Sequence, residues 1–231
     1  MMNNSWVISL LLEVKAELPK KYYKISKDGS YQAHMAGKRK FIVIEGIDRS
    51  GKSTLCRKLV ERLKETATNS SPVLINYPDR TTTIGKLVNL YLKKQITFNK
   101  ETSHLLFSAN RWEKNEEVKK LLKDHVVICD RYFYSGIAYS IALGVDEKWA
   151  REPDRGLIEP DILVFLDVQP HRTVTREDFG EEIYDNLDIQ EKIYLQLKKC
   201  CSESKNCVVI DGHKSVEEAV NEVYDLLKPF I

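Results

Sequence analysis

The sequence is poor in cysteine motifs, in net charge and in long apolar runs, and each shortage argues against a class of function. Its five cysteines, Cys56, Cys129, Cys200, Cys201 and Cys207, form no CxxC pair and accompany no histidine cluster at zinc spacing. Reduced thiols in a cytoplasmic or nuclear compartment are therefore the expectation. A net charge of +2 gives no reason to expect a nucleic-acid partner or a membrane surface. Trp6 to Leu12 is an apolar run of only seven residues, against the roughly 20 that span a bilayer. The MMNNS before it lacks the basic charge of a secretory signal. A mitochondrial presequence is rich in arginine and poor in acid, whereas the first 34 residues contain no arginine and carry Glu13, Glu17 and Asp28. Internal repeats and low-complexity segments are also missing. What remains is ordinary globular composition, 42% hydrophobic and 30% charged over 231 residues, long enough to bury the core of one α/β domain.

That domain is organised around Lys40 to Thr54, KFIVIEGIDRSGKST. Phe41 to Ile44 is an apolar, largely β-branched run of strand type. It opens directly into Gly46-Ile47-Asp48-Arg49-Ser50-Gly51-Lys52-Ser53, which fits the phosphate-loop pattern G-x-x-x-x-G-K-[ST], and an amphipathic helix with Leu55, Leu59, Val60 and Leu63 follows. Gly46 and Gly51 allow a close backbone approach that a Cβ would obstruct, so successive N–H groups can turn inward around phosphate oxygens. Lys52 would reach the terminal phosphates. The Ser53 hydroxyl suits Mg²⁺, which takes few protein ligands and keeps several waters.

Further strands are expected at Val73 to Asn76, Val126 to Cys129, Ile162 to Leu166 and Cys207 to Ile210, with helices at Ile84 to Leu92, Thr102 to Leu122 and Val216 to Leu227. Strands alternating with helices call for a right-handed, doubly wound α/β fold with a five-stranded parallel sheet. In such sheets ligands bind beyond the carboxyl ends of the strands. Tyr77-Pro78-Asp79-Arg80 leaves Arg80 projecting from such a loop, where it suits an anion contact or simple solvation. Asp130, at the end of a run apolar on both faces, is placed to hold Mg²⁺ or its waters beside Ser53, as a Walker B carboxylate does, with Arg131 next to it. Phe107 and Arg111, at i and i+4, share a helix face and can stack on a base and bond its edge, although periodicity alone also makes Phe107 an ordinary core residue. His171 to Asp188 carries Arg172 and Arg176 and then Glu177, Asp178, Glu181, Glu182, Asp185 and Asp188. It has little to bury, and reads as a mobile cover or as an acidic solvated helix end.

Taken in order, these segments resemble the thymidylate kinase family of the eukaryotic and poxvirus type. The resemblance rests on the phosphate loop, Tyr77-Pro78-Asp79-Arg80, Leu105-Leu106-Phe107-Ser108-Ala109-Asn110-Arg111-Trp112-Glu113, Asp130-Arg131-Tyr132 with Ser135-Gly136, and Glu181-Glu182-Ile183-Tyr184-Asp185. It covers Met35 to the C-terminus and implies a nucleoside monophosphate kinase domain over 35–231 with a lid near 171–188, which leaves 1–34 as a loosely attached, disordered extension or as an upstream start that is little used.

The resemblance further implies that ATP and dTMP give ADP and dTDP with Mg²⁺, in a protein that is commonly a homodimer. Gly46 through Thr54, with Arg176 and Lys214, would hold ATP. Phe107 would stack on thymine, Arg111 would bond its O4 edge, Arg80 and Arg131 would hold the dTMP phosphate, and Asp48 the sugar 3′-OH. Tyr77, Gly136 and Tyr139 would complete the site, and Tyr184 would disfavour a 2′-OH. Lys52, Arg49, Arg131 and Asp48 would be the catalytic set, with Arg49 marking the subtype whose phosphate-loop arginine neutralises the transferring phosphoryl. Position 183 is Ile where some relatives carry a basic lid residue, so no catalytic role falls there. A nucleotide switch protein is disfavoured because neither N-K-x-D nor D-x-x-G occurs downstream of the loop. A deoxynucleoside kinase would need a carboxylate base rather than two arginines, and a pseudokinase would be expected to lack Lys52, Ser53 or Asp130.

Overall fold

The computed structural model describes residues 23–25, 31–33, 41–66, 71–173, 183–184 and 186–228. Two short strands, β1 (Tyr23–Ile25) and β2 (Tyr31–Ala33), pair antiparallel with Tyr23 opposite Ala33 and belong to a unit of their own. The rest of the extension expected over 1–34 lies outside the described residues.

The main unit holds β3 (Phe41–Glu45), β4 (Pro72–Asn76), β5 (Val126–Asp130), β6 (Ile162–Asp167) and β7 (Cys207–Asp211), parallel throughout in the order β4-β5-β3-β6-β7. Its helices are α1 (Lys52–Thr66), α2 (Thr83–Leu92), α3 (Lys100–Trp112), α4 (Asn115–Asp124), α5 (Phe133–Ala142), α6 (Glu147–Arg151), α7 (Leu187–Glu203) and α8 (Val216–Leu227). Both β3 and β5 are buried along their whole length, which is why they read as unbroken apolar runs rather than alternating ones. Successive side chains still go to opposite faces. Ile42, Ile44 and Ile128 pack with Leu55, Leu59 and Leu63 of α1 and Val220 and Val223 of α8. Phe41, Val43 and Val127 meet Val118 of α4, while Phe165 packs against Ala138 of α5 and Ile193 and Leu197 of α7. The doubly wound five-stranded sheet expected from sequence is thus present.

Three features differ from expectation or were not foreseen. The helix expected over Thr102 to Leu122 is broken between Trp112 and Asn115. There the Glu113 carboxylate accepts from Thr82 Oγ1 and Asn110 Nδ2, and Lys114 pairs with Asp79, so both residues are drawn toward the β4–α2 loop. Glu116 and Glu117 then favour a fresh N-terminus at Asn115. Helices α5, α6 and α7 were not distinguished in the sequence, although Ile189, Ile193 and Leu197 recur at helical spacing behind an Asn186 cap. Finally, Cys201 of α7 and Cys207 of β7 form a disulfide, with Cα atoms 5.3 Å apart. That corrects the expectation of reduced thiols at these two positions: the turn between α7 and β7 brings together cysteines whose sequence spacing matches no motif. Cys56, Cys129 and Cys200 are free and buried.

Candidate active site

The carboxyl ends of β3, β4 and β5 open toward one edge of the sheet, and the residues singled out from sequence follow directly behind them. After β3 the phosphate loop turns through left-handed conformations at Arg49 (φ 57°) and Gly51 (φ 101°) before α1 starts at Lys52; at Gly51 this costs nothing sterically because there is no Cβ. Lys52 is buried, and its Nζ donates to the Ile47 carbonyl at 2.5 Å and to Ser50 Oγ at 3.2 Å. Burial pulls its pKa down to about 8, with Arg131 adding to the effect and Asp130 and Asp48 opposing it. Ser53 Oγ donates to Asp130 Oδ2 at 2.5 Å. Asp130 Oδ1 is buried and has no hydrogen-bond partner among the described residues. A carboxylate with one oxygen on Ser53 and the other unpaired suits a small hard cation or its waters. Among the described residues no cluster of three or more His, Cys, Asp or Glu offers a cation a fuller shell.

Arg131 also sits in a left-handed conformation (φ 66°), and its N–H donates to the Ile44 carbonyl at 3.0 Å. Its Nη1 donates to the Gly46 carbonyl and to Ser135 Oγ, both at 3.0 Å, and its Nη2 to Asp48 Oδ1 at 2.5 Å. The other carboxylate oxygen of Asp48 accepts from Tyr139 OH and from Gln190 Nε2, each at 2.7 Å. Burial raises the Asp48 pKa, but Arg131, Lys52 and these donors outweigh it and the net shift is downward. Asp48 is therefore a carboxylate at neutral pH, and it ties the phosphate loop to α5 and α7.

Beside this network lies an open cleft lined by all nine residues expected at an acceptor site: Asp48, Tyr77, Arg80, Phe107, Arg111, Arg131, Gly136, Tyr139 and Tyr184. Phe107 is half-buried, with its ring 6.5 Å from that of Tyr91 at 77°. Tyr184 stands edge-on to Tyr139 with centroids 5.0 Å apart. Arg80 is exposed and donates to Asn89. Arg111 is 2% exposed and forms an ion pair with Asp154. Lys214 is not among the lining residues: it lies in the turn after β7, where it pairs with Glu222. Arg176 and most of the segment expected to act as a cover fall outside the described residues.

With a complete phosphate loop sharing Asp48 with an arginine-rich cleft, comparison with known proteins becomes decisive. The sequence model of one family, thymidylate kinase, matches residues 44–223. The chain belongs to the thymidylate kinase family. It is similar to the thymidylate kinase of Plasmodium falciparum, 45% identical over 188 residues that cover 80% of this chain and 88% of that protein. Its identity to the thymidylate kinase of Schizosaccharomyces pombe is 41% over 193 residues, covering 81% and 91% respectively. A solved structure of thymidylate kinase from Candida albicans superposes with a TM-score of 0.74 at 32% identity, covering 83% of this chain and 92% of that one.

Three residues of this thymidylate kinase family member shape the site and escape a reading from sequence. Glu45, the last residue of β3, is buried and accepts from the N–H groups of Tyr132 and Ser135 and from Ser135 Oγ. It caps α5, whose own N-cap residue supplies no side-chain bond. Gln190 of α7 donates to Asp48 and to the Tyr184 carbonyl and accepts from the Asp48 N–H. Asp154 holds Arg111. Glu45 and Gln190 each interrupt an apolar pattern, the one local hint of a buried polar partner, whereas Asp154 lies in the polar stretch Arg151–Gly156 and carries no such hint.

Proposed function

We propose that this chain transfers the γ-phosphoryl group of ATP to the phosphate of dTMP, giving ADP and dTDP, and that it does so with Mg²⁺. The observation that carries the reading is Asp48, which belongs to the phosphate loop and also lines the cleft, so that donor and acceptor would meet across one residue. N–H groups of the phosphate loop and Lys52 would cradle the ATP phosphates. Arg80 and Arg131 suit a doubly charged acceptor phosphate through forked donors. An acceptor phosphate oxygen attacks the γ-phosphorus in line; the bond to the bridging oxygen breaks, and the electron pair leaves on ADP. That oxygen is already anionic, so no general base is required.

Positioning and charge stabilisation then supply most of the catalysis, with Arg49, Lys52 and Arg131 offsetting charge on the transferring group. Ser53 and Asp130 would hold Mg²⁺, which would supply positive charge to offset that of the phosphates. Thymine would lie on Phe107 with its edge toward Arg111, and Asp48 would take the sugar hydroxyl. Closure of the segment carrying Arg176 would exclude water. A homodimer and a cytoplasmic location belong to the same reading. Leu87, Leu90 and Leu105 are 41%, 36% and 47% exposed on α2 and α3, which supports a helix-face contact with a second copy, and light scattering at about twice 26.8 kDa is the expected result. No helix among the described residues is long and apolar enough to cross a membrane.

A coupled ADP-release assay over a panel of nucleoside monophosphates and nucleosides tests the function. Activity with dTMP should exceed that with every non-uridine acceptor at least about tenfold. A preference for AMP, CMP or an unphosphorylated nucleoside would overturn it.

A further inference from the structure

The floor of the cleft rests on a buried ion pair between α3 and the loop after α6. Arg111 Nε donates to Asp154 Oδ1 at 3.0 Å and Nη2 to Oδ2 at 2.6 Å, a bidentate fork with both side chains 3% exposed. Ser108, three residues earlier on α3, donates to the same Oδ1 at 2.8 Å and to the Pro153 carbonyl at 3.1 Å. Trp112 Nε1 also donates to the Pro153 carbonyl, at 2.7 Å. This loop is thus fastened to one face of α3 at Ser108, Arg111 and Trp112, and Asp154 is the member that reaches the cleft arginine.

We propose that Asp154 is a positioning residue that fixes Arg111 as a donor toward the pyrimidine edge, and so sets which pyrimidine monophosphates are accepted. The proposal rests on the reading of Arg111 given above and extends it. A guanidinium has five N–H donors and no acceptor. Asp154 consumes two of them, through Nε and Nη2, fixes the plane of the group and cancels its charge, so a neutral base would meet the Nη1 donors that Asp154 leaves free rather than an unpaired cation. Across that edge a carbonyl at the base 4-position is satisfied, whereas an amino group faces donor against donor and leaves both groups unpaired. With Asp154 lost, the guanidinium would be free to tilt or to recruit water, and the distinction between carbonyl and amino group would fade.

The test compares kcat/KM for dTMP with that for 5-methyl-dCMP, which keeps the methyl group and replaces the 4-oxygen by an amine. In Asp154→Asn one carboxylate oxygen becomes an amide donor facing Arg111, and the dTMP preference should fall at least about tenfold, with KM for ATP within about twofold of wild type. Ser108→Ala, which removes the hydroxyl donor to Asp154 Oδ1 and to the Pro153 carbonyl but leaves the Arg111–Asp154 fork, should lower the preference about threefold and decides the matter if Asp154→Asn does not fold. Arg111→Ala is the control and should nearly abolish the preference. If Arg111→Ala leaves the preference intact, the reading of the cleft fails and the proposal with it. If Arg111→Ala abolishes the preference while Asp154→Asn and Ser108→Ala keep it, losing activity on both substrates alike or only melting earlier, Asp154 is merely structural and the proposal alone is overturned.

Discussion

Replacing Gly136 by alanine sets a helix-propensity gain against a steric loss at the proposed base site, and the distances decide between them. A Cβ at position 136 would stand 2.6 Å from Arg111 Nη2 and 3.1 Å from both Cζ and Nη1, where ordinary contact begins at 3.4 Å, so something must move by about 0.8 Å. Arg111 has little room to yield, being 2% exposed and forked onto Asp154. For stability, alanine within α5 gains about 1 kcal/mol over glycine and overpacking costs about 1–3 kcal/mol, leaving a net loss of about 0–2 kcal/mol and a melting temperature lower by at most about 8 °C. Function should respond more sharply. Moving the Arg111 donors by this distance forfeits most of a directed hydrogen bond to the base, worth about 1.5–3 kcal/mol, and raises KM for dTMP by about one to two powers of ten. The phosphate loop is untouched, so KM for ATP should change less than about threefold. Initial rates with varied dTMP at saturating ATP, alongside a thermal melt, measure both halves. A dTMP KM within twofold of wild type in a normally folded Gly136→Ala protein would refute the placement of the base against Arg111.

Other perturbations separate the remaining roles. Arg49→Gly should lower kcat by about 10²-fold with a smaller change in KM for ATP, because only interactions stronger in the transition state speed the chemical step; near-normal kcat would pass that task to another cation. Phe107→Ala should raise KM for dTMP by about one to two powers of ten if the ring stacks on the base. A large fall in melting temperature with unchanged KM would instead make Phe107 a packing residue. For Lys52 the folded pKa of about 8 lies below the reference 10.5, so between those values the unfolded chain binds more protons. This group's penalty is therefore full below pH 8 and is relieved as pH rises through that window. Phosphate binding needs the charged form, so kcat/KM for ATP should decline above about pH 8, and a profile flat to pH 10 would contradict the burial of this amine.

The fold was legible where chemistry and periodicity coincide. The apolar runs of β3 and β5 could hardly be anything but central strands, and G-x-x-x-x-G-K-S places its loop whatever surrounds it. Phe107 and Arg111 could be placed on one helix face, but not the break after Trp112, because no Gly or Pro marks it and its cause is a set of partners from the β4–α2 loop. Glu45, Asp154 and Gln190 were illegible for a related reason. Their partners lie 87, 43 and 142 residues away, and local spacing carries no trace of such pairings. The Cys201–Cys207 link was missed because its spacing matches no cysteine motif.

The most direct test is the fate of the γ-phosphorus. Incubated with dTMP, Mg²⁺ and ATP labelled at the γ-position, the full chain should move the label onto the β-phosphate of dTDP, one equivalent per ADP formed, with none retained on the protein after denaturation. Label appearing chiefly as inorganic phosphate, or on a residue of the chain, would contradict direct transfer between two nucleotides bound on either side of Asp48.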